Sequence, residues 1–249
     1  MIYIENTQNN TGVSIVGDLN DFQLLYDSLH NVVGNEDEFV QYEGARLRIL
    51  GVCYELRHSL MGDREIKFID NGLTEYQMVK LSIIASSKNI YFKINVLWPE
   101  ILFVAIVLNN FLKLYASKKA KRSYDIFTEK KTAWDSTIAV VRLFQSCIGD
   151  CIKRTLSENM AVRALNLMSE NYNSFDNYIT QYIDVLNSEF VDTPKEKRNK
   201  SISAVIKNIL EPNTEYYNYK DIIEKQAKIH DCDPLDLRLN VDLPDVIDW

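Results

Sequence analysis

Eight glycines and five prolines in 249 residues leave little material for tight turns. A sandwich or barrel of many short strands needs both residues often, so the scarcity favours long regular elements, chiefly helices. Cysteine is scarce as well. Cys53, Cys147, Cys151 and Cys232 are too few for a disulfide scaffold in a chain of this length. Cys147 and Cys151 stand four apart, on one face of a helix, without forming a redox dithiol motif, and read as small buried hydrophobes. Histidine occurs three times, as His30, His58 and His230, which confines imidazole chemistry to those positions. The most apolar run, Ile101 to Leu108, falls far short of the ~20 residues that span a bilayer, so it reads as a buried core helix. The first ten residues lack the basic and apolar regions of a secretory signal, and a cytoplasmic protein without a membrane anchor is expected.

Signatures of common chemistry are missing too. The chain carries no glycine-rich phosphate loop, no lysine-bearing P-loop, no Gly-x-Ser-x-Gly elbow, no His-Glu-x-x-His and no Cys-x-x-Cys. Kinases, dehydrogenases, serine hydrolases and zinc proteases of the usual kinds are disfavoured, and no cofactor is expected.

What is present suits a globular fold. Hydrophobic residues make up 46% and charged residues 25%, enough for a sizeable core, and the net charge is −7. Ile2–Ile4 and Val13–Val16 read as a hairpin turned by the Asn/Thr-rich segment between them. Asp18, with Asp21 three residues on, caps a helix running to Val33 and ended by Gly34. A second helix runs from Glu43 to Met61, with Ile49, Val52, Cys53, Leu56 and Leu60 as its apolar stripe. Ile66–Ile69 and Ile90–Val96 are strands, separated by a stretch that the pattern leaves unassigned. Pro99 opens a long central helix. Beyond Thr132 the chain reads as helix throughout, in segments Ala133–Leu156, Met160–Glu170, Ser174–Phe190, Arg198–Leu210 and Glu215–His230, with a short capped helix after Asp233. The class is α+β, mainly α: a small N-terminal β-sheet beside a multi-helix bundle. Residues 1–125 form an α+β region with the central helix, and residues 126–249 an all-helical region packed as one unit with the first.

Four groups of residues invite chemistry. Asp27-x-x-His30 and Glu55-x-x-His58 each place an acid and an imidazole on one helix face, as di-metal carboxylate bundles do, with Glu100 and Glu170 as further carboxylates; the simpler reading is surface i,i+3 pairs. On the second helix His58 points away from the apolar stripe, and Arg46 and Arg57 share an edge, so His58, Glu55, Arg57 and Arg46 form a candidate catalytic surface next to Asp63, Arg64 and Glu65. Residues 1–45 hold eight acids and no Lys or Arg, and Glu36, Asp37 and Glu38 form an acidic cluster suited to a basic protein partner. By contrast Lys113, Lys118, Lys119, Lys121, Arg122, Lys130 and Lys131 crowd together with Tyr115, Tyr124 and Phe127 between them. With the run Lys195, Lys197, Arg198 and Lys200, they could make a phosphate-binding surface; cations also simply favour a helix C-terminus.

Three stretches carry a resemblance: Tyr42-Glu43-Gly44-Ala45-Arg46-Leu47-Arg48, Gly51-Val52-Cys53-Tyr54-Glu55-Leu56-Arg57-His58 and Asn95-Val96-Leu97-Trp98-Pro99-Glu100. They are similar to an uncharacterised family of bacterial proteins of about this length, mainly over the first ~125 residues. The resemblance implies a bacterial, cytoplasmic protein and brings no catalytic residues. The leading expectation is a binding protein acting through protein–protein contacts, of the immunity or regulatory kind. The alternatives are an enzyme of nuclease or di-metal type at the His58 surface, and a nucleic-acid-binding regulator using residues 113–131.

Overall fold

Four antiparallel strands and ten helices make up the fold of the computed structural model, which describes residues 1–120, 129–169, 178–244 and 246–249. Strands β1 (Tyr3–Asn6) and β2 (Gly12–Gly17) form the expected hairpin, and β4 (Lys88–Leu97) pairs with β2 on one side and β3 (Glu65–Asp70) on the other. The order β1-β2-β4-β3 leaves β1 and β3 at the edges. Because side chains alternate across a strand, the register puts Ile4, Ile15 and Ile94 in one row and Val13 and Val96 in the next. All five are buried.

Helix α1 (Leu19–Val33) begins in a capping box: Asp18 accepts from the Asp21 backbone N–H and Asp21 accepts from that of Asp18. It packs on α2 (Glu43–Leu60), and its Phe22 ring meets Phe92 of β4 at 6.1 Å between centroids. Helix α4 (Trp98–Lys119) runs through the centre, with Pro99 in its first turn. Among the described residues it is the one helix long and apolar enough to cross a bilayer. Here its apolar length is covered by α1, α2, the sheet and the later helices. These are α6 (Ser136–Thr155), α7 (Glu158–Ser169), α8 (Tyr178–Asp192) and α9 (Lys195–Leu210), with α10 (Thr214–His230) outside α8. One continuous core extends from Ile2 to Tyr216.

Two details depart from the sequence reading. The helix expected from Ala133 is broken: a single turn, α5 (Lys130–Ala133), stops at Trp134, and Asp135 caps α6 by accepting from the Ile138 N–H. The unassigned stretch before β4 holds α3 (Glu75–Leu81), opened by a reciprocal Thr74–Gln77 capping box. Both follow from local capping by side chains that periodicity does not register.

The two ends of the chain are tied to the bundle. Arg198 is buried, and its guanidinium donates to Asn9 O, Thr11 Oγ1, Val191 O and Thr193 O, so the β1–β2 turn and the start of α9 are held together by neutral acceptors. Thr11 Oγ1 in turn donates to Asp248 O at 2.6 Å, and Ser188 Oγ to Asp242 O at 3.0 Å, fastening the extended C-terminal segment.

Gly12 sits where β2 meets β4 most closely: a Cβ there would fall 2.1 Å from Val96 O, a backbone atom. Gly51, on the outer side of α2, has nothing within 4 Å of such an atom. Gly12→Ala is therefore expected to cost about 2 kcal/mol or more of stability, and Gly51→Ala to add up to about 1 kcal/mol through helix propensity. Denaturant unfolding of the two variants checks both signs; two changes of equal sign would show that the β2–β4 approach is not as close as described.

Candidate functional site

The outer face of α2 brings its polar groups into pairs already satisfied within the chain. Arg64 grips Glu55 with Nε and Nη2 at 2.6 and 3.0 Å, so Glu55 serves an ion pair and not His58. His58 Nδ1 lies 3.0 Å from Asp63 Oδ2, and its ring stacks on Tyr54 at 4.2 Å. The Arg57 guanidinium lies over the Tyr54 ring, 5.6 Å from its centroid. Arg46 donates to Glu43 and to Gly34 O, which tethers the loop after α1 to α2. His30 stacks on Tyr26 at 4.5 Å. Partial burial, then Arg46 and Arg57, hold its pKa below the ordinary value against the opposing pull of Asp27. The two acid-x-x-His units do not join: among the described residues no three His, Cys, Asp or Glu side chains gather as a metal ion would require. Glu170 lies outside the described residues.

The acidic and basic segments meet each other. Glu38 is paired with Lys118, whose ammonium lies 4.6 Å over the Phe39 ring, while Glu36 and Asp37 are exposed. Lys119 binds Asp135 at 2.7 Å and Tyr115 OH alongside. The charge segregation visible in the sequence is thus partly cancelled inside the molecule. Of the other basic run, Lys195 and Arg198 are bonded to the β1–β2 turn. Lys121, Arg122, Tyr124 and Phe127 lie outside the described residues. Cys53 and Cys151 are buried as expected, whereas Cys147 and Cys232 are only partly buried; burial pushes the Cys53 thiol up to about 12.

A charged knot that periodicity alone did not single out lies on the inner side of α2. Arg48 donates to Glu100 Oε2 at 2.8 Å and to Asp184 Oδ1 at 2.7 Å, with Thr180 O as a further acceptor. Asn187 donates to the same Glu100 oxygen at 3.0 Å. One side chain each from α2 and α4 therefore meets two from α8. Burial pushes the Glu100 carboxyl up, against the pull of Arg48 and Asn187. Burial also opposes the charge on Arg48, but Glu100 and Asp184 outweigh it and raise its pKa. Arg48 and Asp184 of the knot line a cleft of about 430 Å³ between α2, α8 and the C-terminal segment, together with Glu43 and Arg238. A signal for it existed. Ala45, Ile49, Val52 and Leu56 are buried, and Arg48 takes a place in that same stripe, where an apolar residue is expected. Glu100 is likewise an acid in the first turn of a helix that is apolar on every side from Ile101 through Leu108.

A second feature stands out at the far end of the sheet. The register continues the core-facing row from Ile94 and Phe92 to Ile90, and across to Ile66 and Phe68 of β3. Among the described residues no helix covers it here, and Ile66, Phe68 and Ile90 are exposed by 42%, 61% and 54%. Between the two strands α3 buries none of its residues, and Tyr76, Val79 and Ile84 face solvent. Residues 65–90 thus form an arm whose apolar side is open.

The chain belongs to a family defined by a domain of unknown function (DUF6904), whose model matches residues 2–249. The kinship therefore extends through the helical half, beyond the stretches that first suggested it. No curated protein and no solved structure matches the chain. Two of those stretches supply the knot: Arg48 comes from one and Glu100 from another.

Removing Arg48 leaves Glu100 buried without its countercharge. Arg48→Met is expected to lower stability by about 3 kcal/mol, and the double variant Arg48→Met with Glu100→Gln to recover part of that loss. Urea unfolding of the single and double variants reads both numbers; a loss in the single variant below about 1 kcal/mol would remove the knot from its structural role.

Proposed function

We propose that this protein is a bacterial, cytoplasmic binding protein that works through protein–protein contacts, with the arm of residues 65–90 as its contact surface. The supporting observation is that the arm continues the core face of the sheet into solvent and carries a helix, α3, with no buried residue. A helix this short gains too little from its own hydrogen bonds to be stable in water, and contiguous exposed apolar surface marks interaction sites. A partner that covers the arm supplies the missing burial. Glu36 and Asp37, exposed after α1, would offer a basic protein an acidic contact separate from the arm.

The rival reading, an enzyme using His58, draws on its pairing with Asp63, a carboxylate that can orient an imidazole for acid–base work. The two readings separate in one experiment: capture of proteins from the native host at low salt by the tagged chain and by its Phe68→Glu variant. A stoichiometric partner taken by the wild type and lost by the variant supports binding through the arm. Equal capture by both, or none by either when the wild type is monomeric, contradicts it and turns attention to His58.

A further inference from the structure

The two edges of the sheet are treated differently. At the β1 edge α6 lies alongside, and its side chains occupy the outward carbonyls: Arg154 Nη2 donates to Ile4 O at 2.6 Å, and Cys147 Sγ approaches Ile2 O at 3.7 Å. Covering an edge in this way blocks pairing with another chain. At the other edge β3 pairs with β4 alone, and among the described residues no helix lies over it.

The residue order along that open edge is complementary to itself. Arg64, Ile66, Phe68 and Asp70 share one face by the period of two. When β3 is laid antiparallel on a second copy about a two-fold axis through Lys67, Arg64 of each copy stands opposite Asp70 of the other, and Ile66 opposite Phe68. Two apolar cross-strand pairs are then flanked at each end by Asp70 of one copy facing Arg64 of the other, whose guanidinium also holds Glu55 of its own chain. Apolar pairs flanked by opposite charges stabilise an antiparallel ladder. The two Lys67 residues meet on the opposite face, and each carries its own counterion, Glu5 at 3.0 Å. The axis is perpendicular to the sheet, so the uncovered apolar faces of the two copies lie on the same side and join. Eight large apolar residues between Ile66 and Ile90 are at least 42% exposed. At roughly 100 Å² each they offer about 800 Å², the contribution of one partner to a stable interface.

We infer that the arm's occupant is a second copy of this chain, joined edge to edge through β3 into an eight-stranded sheet spanning a two-fold dimer. The inference rests on the reading of the arm as a protein-contact surface and names its partner. The pairing is isologous, so it closes at two copies and leaves the α6-covered β1 strands as the outer edges.

Light scattering coupled to size exclusion at tens of micromolar, on the full chain, tests it. The wild type is expected at twice its 28.9 kDa mass, and Phe68→Glu and Asp70→Arg at the monomer mass with unchanged circular dichroism, since both residues lie on the open face. The triple variant Glu55→Arg, Arg64→Glu and Asp70→Arg reverses all three charges, keeps the pair of residues 55 and 64 opposite in sign within each copy, and is expected to return to the dimer. A monomeric wild type, or a dimer indifferent to all three variants, overturns self-pairing. A monomeric wild type whose capture of a host protein depends on Phe68 would overturn only the identity of the occupant. A monomer whose capture ignores Phe68 would overturn the contact surface as well.

Discussion

A helix that is apolar on every side must be covered on every side, and α4 imposes that demand on the whole chain. From Ile101 to Leu108 no residue of it reaches solvent appreciably. The sheet and α1 and α2 cover it from the N-terminal half, and α6, α7, α8 and α9 from the C-terminal half. Both halves pack against this one helix, and the core runs unbroken from Ile2 to Tyr216. Burial of this kind is non-directional. It explains why the layers meet and leaves open how they are oriented.

Orientation comes from the polar groups admitted into that interior. Arg48 reaches Glu100 and Asp184 at once, and its fork of donors fits only when α2, α4 and α8 hold one relative position. Arg198 does the same for the β1–β2 turn and α9, using four neutral oxygens in place of carboxylates. Both arginines convert a set of packed helices into one arrangement. The cleft above Arg48 follows from this geometry, because ion-paired side chains line it and keep apolar residues from closing over it.

Much of the fold was legible in the sequence, for physical reasons that also mark where the reading failed. The α1 cap, the α2 stripe, the proline opening α4 and the β-branched strands are local signals, and each element lies where it was expected. Helix α3 was missed because its apolar residues face solvent and carry no buried stripe; Thr74 and Gln77, three apart, were the readable mark. The break at Trp134 was hidden between two helical segments with similar periodicity. At the level of the site, the outer face of α2 was visible as a collection of charges, but its pairings were not, since Glu55–Arg64 and Lys118–Glu38 bring together residues set apart along the chain. Arg48 was legible as an arginine in an apolar stripe, whereas its partner Asp184 lies 136 positions away in the sequence, beyond any local pattern.

Among the described residues the arm is where sequence pattern and burial part over a whole segment: strands patterned for a core face water, and a capped helix buries none of its residues. That the fold manages its β1 edge and leaves β3 bare is the basis of the proposed pairing. Amide hydrogen exchange measured over a hundredfold range of protein concentration tests this most directly. The account predicts that α4 stays protected throughout, while β3 and α3 exchange rapidly in dilute solution and become protected as concentration rises. Protection of β3 and α3 equal to that of α4 at every dilution would contradict it, because the arm would then be stable without a partner.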